Sequence, residues 1–186
     1  MILKDDFFNR DTLEVWYDLL GKKLIYIDKE WKRFSWIINE TEAYKWSEDE
    51  ASHAFRWITP RNRIMFETYG HVYVYFIYWM YHCMNFTTGR QWEAGAVLIR
   101  SIIPQEGISE MMANRKTDEL KKLTDWPWKI CQAFGIDKDV HGRKICLESD
   151  IFIEDVWYAP GKEIKSWSRI WIRRWTDKMW RFRFDN

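Results

Sequence analysis

Residues 71–86 read HVYVYFIYWMYHCMNF, a dense run of β-branched and aromatic residues with a break at 78–80. Side chains of these types favour extended backbone, and a break in the middle of such a run favours a reversal of the chain. The stretch therefore predicts a β-hairpin whose tip lies at residues 78–80.

Further strands and helices are predicted on both sides of this hairpin. The strands are expected at residues 24–28, 37–44 and 96–103, the last of them closed by Pro104. The helices are expected between a cap at Asp11 and a stop at Gly21, at 108–116, and at 127–134 before Gly135.

Two segments are less regular. Residues 45–63 are polar and predict a long irregular loop, a type that is usually functional or disordered. Residues 169–184 combine short apolar runs with arginines, which predicts a basic, strand-rich end. Helices and strands intermingle without βαβ repetition, so the predicted fold class is α+β.

The composition limits the class of protein without naming a partner. With 186 residues, 47% of them hydrophobic, the chain can bury one sizeable core, and we expect a single domain over residues 1–186. The net charge of +1 gives no bulk electrostatic argument for binding nucleic acid. We find no apolar stretch typical of a signal peptide or a membrane span, so we expect a cytoplasmic protein without membrane contact.

The three cysteines, Cys83, Cys131 and Cys146, are odd in number and far apart, which argues against a disulfide framework. The spacings CxxC and HxxxH do not occur, and the zinc-deaminase pattern HxE…PCxxC is missing. We therefore predict buried thiols, no metal site and no cofactor.

Two carboxylates stand two residues apart in the segment ETEAY at 40–44. Because side chains two apart on a strand point the same way, Glu40 and Glu42 are predicted on one strand face. On this spacing alone, a solvated acidic edge is the simpler interpretation. The neighbouring residues favour a site instead, namely His53 with Arg56, Arg61 and Arg63 in the loop, Tyr73, Tyr75 and Tyr78 in the hairpin, and then Asn85 and Arg100.

The chain resembles the alkyladenine (3-methyladenine) DNA glycosylase family in a series of short segments. The matching segments are ETEAY at 40–44, EDEASH at 48–53, TPRNR at 59–63, YVYFIY at 73–78, MYHCMN at 80–85, VLIR at 97–100 and KICQAF at 129–134. They occur in the family's order and spacing, and the similarity extends from about residue 19 to residue 184. The resemblance implies a curved, mostly antiparallel sheet with a protruding hairpin and surrounding helices, a barrel like the C-terminal domain of formyltransferases.

The resemblance also implies a reaction. A monomer would flip an alkylated purine of the 3-methyladenine class out of double-stranded DNA and hydrolyse its N-glycosidic bond, with hypoxanthine and ethenoadenine as further candidate substrates. Glu42 would be the general base, acting on a water that Arg100 and the backbone carbonyl of Ile170 also hold. The enzyme would associate with the nucleoid by way of DNA.

Further residues take roles from the same resemblance. Tyr44 would lie on one face of the flipped base, with His53 and Tyr75 on the other. Tyr78 would fill the gap left in the duplex, and Asn85 would exclude the amino group of normal guanine. Arg61 and Arg63 would contact phosphate. Since no lysine falls within the Glu42 or Tyr75 segments, simple hydrolysis is expected rather than lyase chemistry.

Several of these residues have simpler interpretations. Tyr73 is interpreted as a packed strand residue and left outside the site, and His53 alone would be an ordinary loop histidine. A non-catalytic module that binds distorted DNA would keep the aromatic residues and arginines without needing Glu42. A carbohydrate-active enzyme could use Glu40 and Glu42 as an acid/base pair, but two carboxylates on the same side of a strand do not face each other across a substrate.

The fourteen tryptophans are a departure from the family. Tryptophan stands where the family typically has glycine at positions 46, 57, 79, 126 and 128, and also at 31, 36, 92, 167, 171 and 175, with a weaker match at Trp157. Trp16 and Trp180 look like true tryptophans. Our hypothesis is that the gene uses UGA as a glycine codon and was translated here as tryptophan. A chain with tryptophan at these positions is expected to fold poorly and act weakly, because turns and close backbone approaches favour glycine.

Overall fold

The computed structural model describes residues 1–156, 158 and 163–185. Its strands are β1 (Lys23–Ile27), β2 (Arg33–Lys45), β3 (Val72–Ile77), β4 (Tyr81–Thr88), β5 (Gly95–Glu106), β6 (Ile151–Glu154), β7 (Lys165–Trp167) and β8 (Arg181–Arg183). Its helices are α1 (Asp5–Phe8), α2 (Thr12–Asp18), α3 (Arg63–Glu67), α4 (Ile108–Arg115) and α5 (Pro127–Phe134). A bilayer-crossing helix needs about 20 residues, and none in the described ranges is long and apolar enough.

The strands of the described ranges form one curled antiparallel sheet, about half of a barrel, with the order β3-β4-β5-β2-β1-β6. The longest strand, β2, pairs with β5 along nearly its whole length and with β1 in its first half. Beyond the end of β1, residues 40–42 of β2 pair instead with β8, which also pairs with β7. The predicted α+β class with a curved antiparallel sheet is confirmed, and β2 lies at its centre.

The hairpin and the main helices lie where the sequence predicts them. Strands β3 and β4 pair in register down to Ile77 and Tyr81, which leaves residues 78–80 at the tip. Helix α5 spans the predicted residues and ends at Gly135, whose φ is 64°. The Asp11 side chain caps α2 by accepting a hydrogen bond from the backbone N of Leu13 at 2.8 Å. Residues 46–62 contain neither helix nor strand, as predicted.

Three predictions about the strands are wrong. Strand β2 begins at Arg33 and not at residue 37, because residues 33–37 pair with β1. Strand β5 continues through Pro104 to Glu106, because a register shift between Ser35 and Trp36 of β2 places the proline at an irregularity of the ladder. The segment 169–184 is mostly irregular, and β8 is its only described strand. Extended backbone needs a partner, and β2 offers this segment pairing only at residues 40–42.

Alternation along the strands divides the sheet into two faces. One face packs into the main core, where residues of the central strands such as Val97 and Ile99 of β5 and Phe86 of β4 meet Trp16 of α2. Side chains of α5 such as Ile130 close the same core. The opposite face carries alternate residues of β2 to β5. Met65 and Phe66 of α3 pack against Tyr73 and Ala96 on this face in a second, smaller core, and the rest of the face borders a cavity.

Five tryptophans adopt the left-handed backbone conformation. Among the described residues, eight that are not glycine have positive φ, and five of these are tryptophans at 31, 79, 92, 171 and 175, with φ between 54° and 73°. Only a few per cent of non-glycine residues adopt this conformation, which costs an L-residue about 1–2 kcal/mol. All five are among the predicted glycine positions, so backbone conformation supports the glycine hypothesis independently of the family pattern.

Hydrogen bonding also distinguishes a buried tryptophan predicted to be genuine from one at a predicted glycine position. The indole Nε1 of Trp16, predicted to be a true tryptophan, donates a hydrogen bond to the backbone O of Thr41 at 3.1 Å. Trp36, a predicted glycine position, is fully buried, and its Nε1 finds no acceptor among the described residues. An unpartnered buried donor costs about 1–3 kcal/mol. Trp157 lies outside the described residues.

Candidate active site

A cavity of about 470 Å³ opens on the second face of the sheet, a volume within the usual range for small-molecule sites. The strand residues that line it alternate along each strand: Tyr44 of β2; Ala96, Leu98 and Arg100 of β5; Cys83 and Asn85 of β4; and Tyr73, Tyr75 and Ile77 of β3. The loop 46–62, the start of α5 and residues 170–172 complete the wall. The cavity is therefore a consequence of strand periodicity across four neighbouring strands.

The carboxylate of Glu42 lies directly behind the wall of this cavity and is fully buried. Its Oε1 accepts a hydrogen bond from the backbone N of Ile170 at 2.8 Å, and its Oε2 accepts one from the Tyr44 hydroxyl at 2.8 Å. Arg100 Nη1 lies 3.3 Å from the same Oε2. All three partners line the cavity, so the carboxylate lies behind them.

Glu40 is also buried, so the interpretation of the two carboxylates as a solvated edge is wrong. Its Oε1 lies 3.1 Å from Arg100 Nε and 3.1 Å from Arg181 Nη1, and its Oε2 lies 3.6 Å from Arg183 Nη1. Glu40 therefore anchors three arginines. Because Arg100 also contacts Glu42, the two carboxylates orient one guanidinium between them.

The Glu42 carboxyl is tuned by opposing effects. Burial raises its pKa, and the charge of Glu40 acts in the same direction. The Arg100 charge and the hydrogen bonds from Ile170 and Tyr44 lower it, but the net pKa lies above the ordinary value of 4.5. The carboxylate can therefore accept a proton more readily than an exposed glutamate does.

Aromatic side chains form one side of the cavity. His53 Nδ1 lies 2.9 Å from the Tyr73 hydroxyl, and the His53 ring stands nearly perpendicular to that of Tyr75, with centroids 4.7 Å apart. Packing of the ring and the charge of Arg61 lower the pKa of His53, although its outer side is exposed to solvent, so the imidazole is neutral at pH 7. A neutral ring beside the tyrosines suits stacking on a flat base.

The remaining predicted residues lie at the bottom, the mouth and the outside of the cavity. Asn85 is buried, and its Nδ2 donates to the backbone O of Tyr73 at 3.1 Å. Tyr78 stands at the hairpin tip and is 56% exposed. The Arg61 guanidinium lies 5.3 Å from the centroid of the Tyr75 ring, at the mouth. Arg63 lies outside the cavity on α3, where it pairs with Glu67 at 3.3 Å.

Comparison with known proteins gives the family of this chain. The family model described as methylpurine-DNA glycosylase matches residues 6–186. The chain belongs to the methylpurine-DNA glycosylase family. Relatives provisionally named 3-methyladenine DNA glycosylase include those of Prosthecochloris aestuarii, 39% identical over 95% of this chain and 84% of the relative, and Rhizobium etli, 42% identical over 95% and 82%. The relative of Methanocella arvoryzae is 41% identical over 83% of this chain and 77% of its own.

Membership in the methylpurine-DNA glycosylase family makes DNA repair the functional class and DNA the partner. It also removes the carbohydrate-active interpretation of Glu40 and Glu42. That interpretation has no geometric support either, since three arginines hold Glu40 and both carboxylates contact the same guanidinium.

Three residues that line or support this site were not assigned to it by the sequence analysis. Tyr73 is a packed strand residue, as predicted, in a small core with Met65 and Phe66, and it also lines the cavity and bonds His53. Asn62 closes the 46–62 loop: its Nδ2 donates to the backbone O of His53 at 2.7 Å, and its Oδ1 accepts from the backbone N of Thr59 at 2.6 Å. Period-2 alternation with Tyr75 could have indicated Tyr73, and an asparagine beside a Thr-Pro turn could have indicated Asn62.

The third residue is Lys129, which lines the cavity at the start of α5. The sequence argument against a lysine nucleophile considered only two segments and did not anticipate this lysine. Its Nζ lies 2.8 Å from Asp125 Oδ1, in an ion pair one helical turn apart. Lyase chemistry requires a free amine, so the carboxylate opposes that role of Lys129.

Tryptophans line part of the cavity in this family member. The Trp171 ring lies 5.7 Å from the Tyr78 ring and 6.2 Å from the Trp126 ring. The Trp126 ring in turn lies 5.5 Å from the Arg100 guanidinium. A row of aromatic rings therefore runs from the hairpin tip to the partner of Glu42, over the part of the wall that covers the carboxylate.

Proposed function

We propose that residues 1–186 form a single glycosylase domain that flips an alkylated purine out of duplex DNA and hydrolyses its N-glycosidic bond. The observation that carries the proposal is the buried Glu42 carboxylate, which lies behind the wall of an aromatic cavity and has three hydrogen-bonding or charged partners that line it. We propose further that the enzyme acts as a monomer, in the cytoplasm, on nucleoid DNA.

In the proposed reaction, Glu42 accepts a proton from a water molecule as the water oxygen attacks the anomeric carbon. The bond between this carbon and the purine nitrogen breaks, its electron pair stays with the purine, and an abasic site remains. Arg100 and the Ile170 backbone hold the carboxylate and water in position, and a positioned general base contributes roughly 10² to 10⁴ in rate. An alkylated purine suits this reaction because it is electron-poor and leaves readily.

The flipped base would lie between Tyr44 on one side and Tyr75 with His53 on the other, where the two rings are nearly perpendicular, so that one of them stacks on the base and the other meets its edge. Stacking on aromatic side chains contributes about 1–3 kcal/mol per base, and the buried Asn85 would reject the exocyclic amino group of normal guanine. Selectivity would also come from extrusion, which costs least for a damaged or mispaired base.

Outside the cavity, the hairpin tip and the basic loop would hold the duplex. Tyr78 would fill the space left by the flipped nucleotide, as apolar wedges do in other DNA-bending proteins. Arg61 and Arg63, exposed beside the cavity, would contact phosphates.

The alternative proposal is a module that binds damaged DNA without cleaving it. Release of free purine from duplexes that contain 3-methyladenine, hypoxanthine or ethenoadenine separates the two. We expect release from at least one of these duplexes and none from an undamaged control. Tight binding to every damaged duplex without release would support the module.

The raised pKa of Glu42 predicts the pH dependence of base release. The carboxylate form is required, and it is lost as the pH falls through the raised pKa, so single-turnover rates should fall on the acid side with a midpoint above 4.5. The measurement is the excision rate against pH on one damaged duplex. A midpoint at or below 4.5 would exclude Glu42 as the titrating base in this environment.

A further inference from the structure

Arg169 and Asp49 form an ion pair with no exposed side-chain surface. Arg169 Nη1 lies 2.6 Å from Asp49 Oδ2, and Arg169 Nη2 lies 2.7 Å from Asp49 Oδ1, a bidentate arrangement. A buried ion pair is weak evidence for stability, because desolvation offsets the attraction between the charges. Its two parallel hydrogen bonds fix the orientation of the guanidinium relative to the carboxylate. The pair is therefore better suited to hold one segment of the chain against another than to raise stability.

Both segments that this pair joins contribute residues to the candidate site. Arg169 Nη1 also donates to the backbone O of Ala43 at 2.9 Å, between Glu42 and Tyr44 on β2. Its guanidinium carbon lies 4.8 Å from the centroid of the Tyr44 ring. Arg169 therefore contacts the backbone next to the proposed base and one wall of the proposed base cage.

Asp49 also accepts two backbone hydrogen bonds from residues near the start of the 46–62 loop. Its Oδ1 accepts a hydrogen bond from the backbone N of Ala51 at 3.1 Å, and its Oδ2 accepts one from the backbone N of Lys45 at 3.2 Å. The residue after Arg169 is Ile170, whose backbone N donates to Glu42 Oε1 at 2.8 Å. The ion pair thus ties the C-terminal segment to the loop one residue before the amide that reaches Glu42.

We propose that Asp49 and Arg169 are positioning residues, whose buried ion pair keeps the Ile170 amide on the Glu42 carboxylate. The inference rests on the proposed role of Glu42. Neither residue lines the cavity, so both act through Ile170 and Tyr44. Other groups also face Glu42, namely Arg100 from β5, Tyr75 from β3, and Glu40 and Tyr44 from β2 itself, and these remain when the pair is removed.

The test uses Arg169→Lys and Asp49→Asn in the full chain, since both keep a similar size and lose the bidentate geometry. The carboxyl carbon of Glu42 is titrated by ¹³C NMR, with Glu42→Gln to assign the signal. In Arg169→Lys, which keeps the charge of the pair, we expect the midpoint to rise, because the charged form of Glu42 loses a hydrogen bond. Asp49→Asn leaves the Arg169 charge unpaired near Glu42, which acts against this rise, so that variant is judged by excision at pH 7, which should fall by about a hundredfold in both variants. Ile153→Ala in β6, a buried truncation far from the cavity, should reduce stability without moving the midpoint.

A folded Arg169→Lys variant with the unmodified titration midpoint would overturn the inference. In the unmodified chain, the Ile170 amide should be protected from hydrogen exchange as well as core strand amides are, and exchange at the rate of an open loop would also overturn it. The titration needs no catalysis. If no damaged duplex releases a base, the proposed function fails, whereas the positioning of Glu42 by this pair is still decided by the midpoint.

Discussion

Replacing Glu42 by glutamine is expected to reduce base release by at least a hundredfold while leaving the binding of damaged duplex DNA nearly unchanged. Glutamine has almost the same shape, but it cannot take the proton of the attacking water, and a positioned base contributes roughly 10² to 10⁴ in rate. The measurement compares single-turnover release with affinity for the same duplex. Release should fall while affinity stays nearly constant, because Glu42 lies behind the cavity wall and not on the proposed DNA-facing surface.

Glu40→Gln is the matched control for this substitution. Glu40 stands two residues away, is equally buried, and also contacts Arg100, but three arginines hold it. We expect its loss to disturb Arg100 and reduce release by about tenfold, since it removes orientation and not the base itself. Equal losses in the two variants, or nearly full activity of Glu42→Gln, would show that Glu42 is not the base.

Glycine at positions 31, 79, 92, 171 and 175 is expected to raise the stability of the chain strongly. Each tryptophan there has a positive φ, which glycine adopts without strain, so each change should add about 1 kcal/mol to the free energy of unfolding. Five such changes correspond to a rise of roughly 10–20 °C in the melting temperature for a domain of this size. Thermal unfolding of the fivefold variant measures it.

Trp16→Gly is the control for the same exchange at a true tryptophan. This indole is buried, stacked at 3.8 Å on Phe182 and bonded to Thr41, so its loss should cost about 3–5 kcal/mol. If the fivefold variant is less stable than the unmodified chain, the glycine hypothesis is wrong in its physical basis. Sequencing the coding DNA tests its genetic basis, because UGG codons at these positions would contradict it.

The same hypothesis predicts an effect on activity. Trp126 lies near Arg100, and Trp171 continues the row of rings toward Tyr78, so replacing both by glycine should open the cavity toward Glu42. We expect base release to increase by at least tenfold beyond the gain from stability alone, which is measured on samples matched for folded fraction. Unchanged release would mean that these rings do not obstruct the substrate.

The sequence predicted those parts of the fold that depend on local signals. The aromatic run at 71–86 and the glycine after residue 134 specify a hairpin and a helix end without reference to distant residues. The continuation of β5 through Pro104 could not be predicted, because it depends on a register shift in β2. The position of the short strand β8 likewise depends on where the pairing between β1 and β2 ends.

The candidate site also contains residues that short motifs indicated and contacts that no local pattern could indicate. Tyr44, Tyr75, Asn85 and Arg100 were indicated by short motifs, and strand periodicity brings them together. The Arg169–Asp49 pair joins residues 120 positions apart, and no local pattern announces such a contact. The carbonyl of Ile170 stays a prediction, while the amide of that residue donates the hydrogen bond to Glu42 that the structure shows.

The most direct test of the central claim counts products from one damaged duplex under single-turnover conditions, using the chain with glycine at the five left-handed positions and at 126. The duplex carries 3-methyladenine, the lesion class of the proposed substrate. We predict one free purine for each abasic site formed, with the DNA backbone intact. Bound duplex with no free purine would contradict hydrolysis and support the binding module, and strand cleavage together with base release would contradict a monofunctional enzyme and point to Lys129.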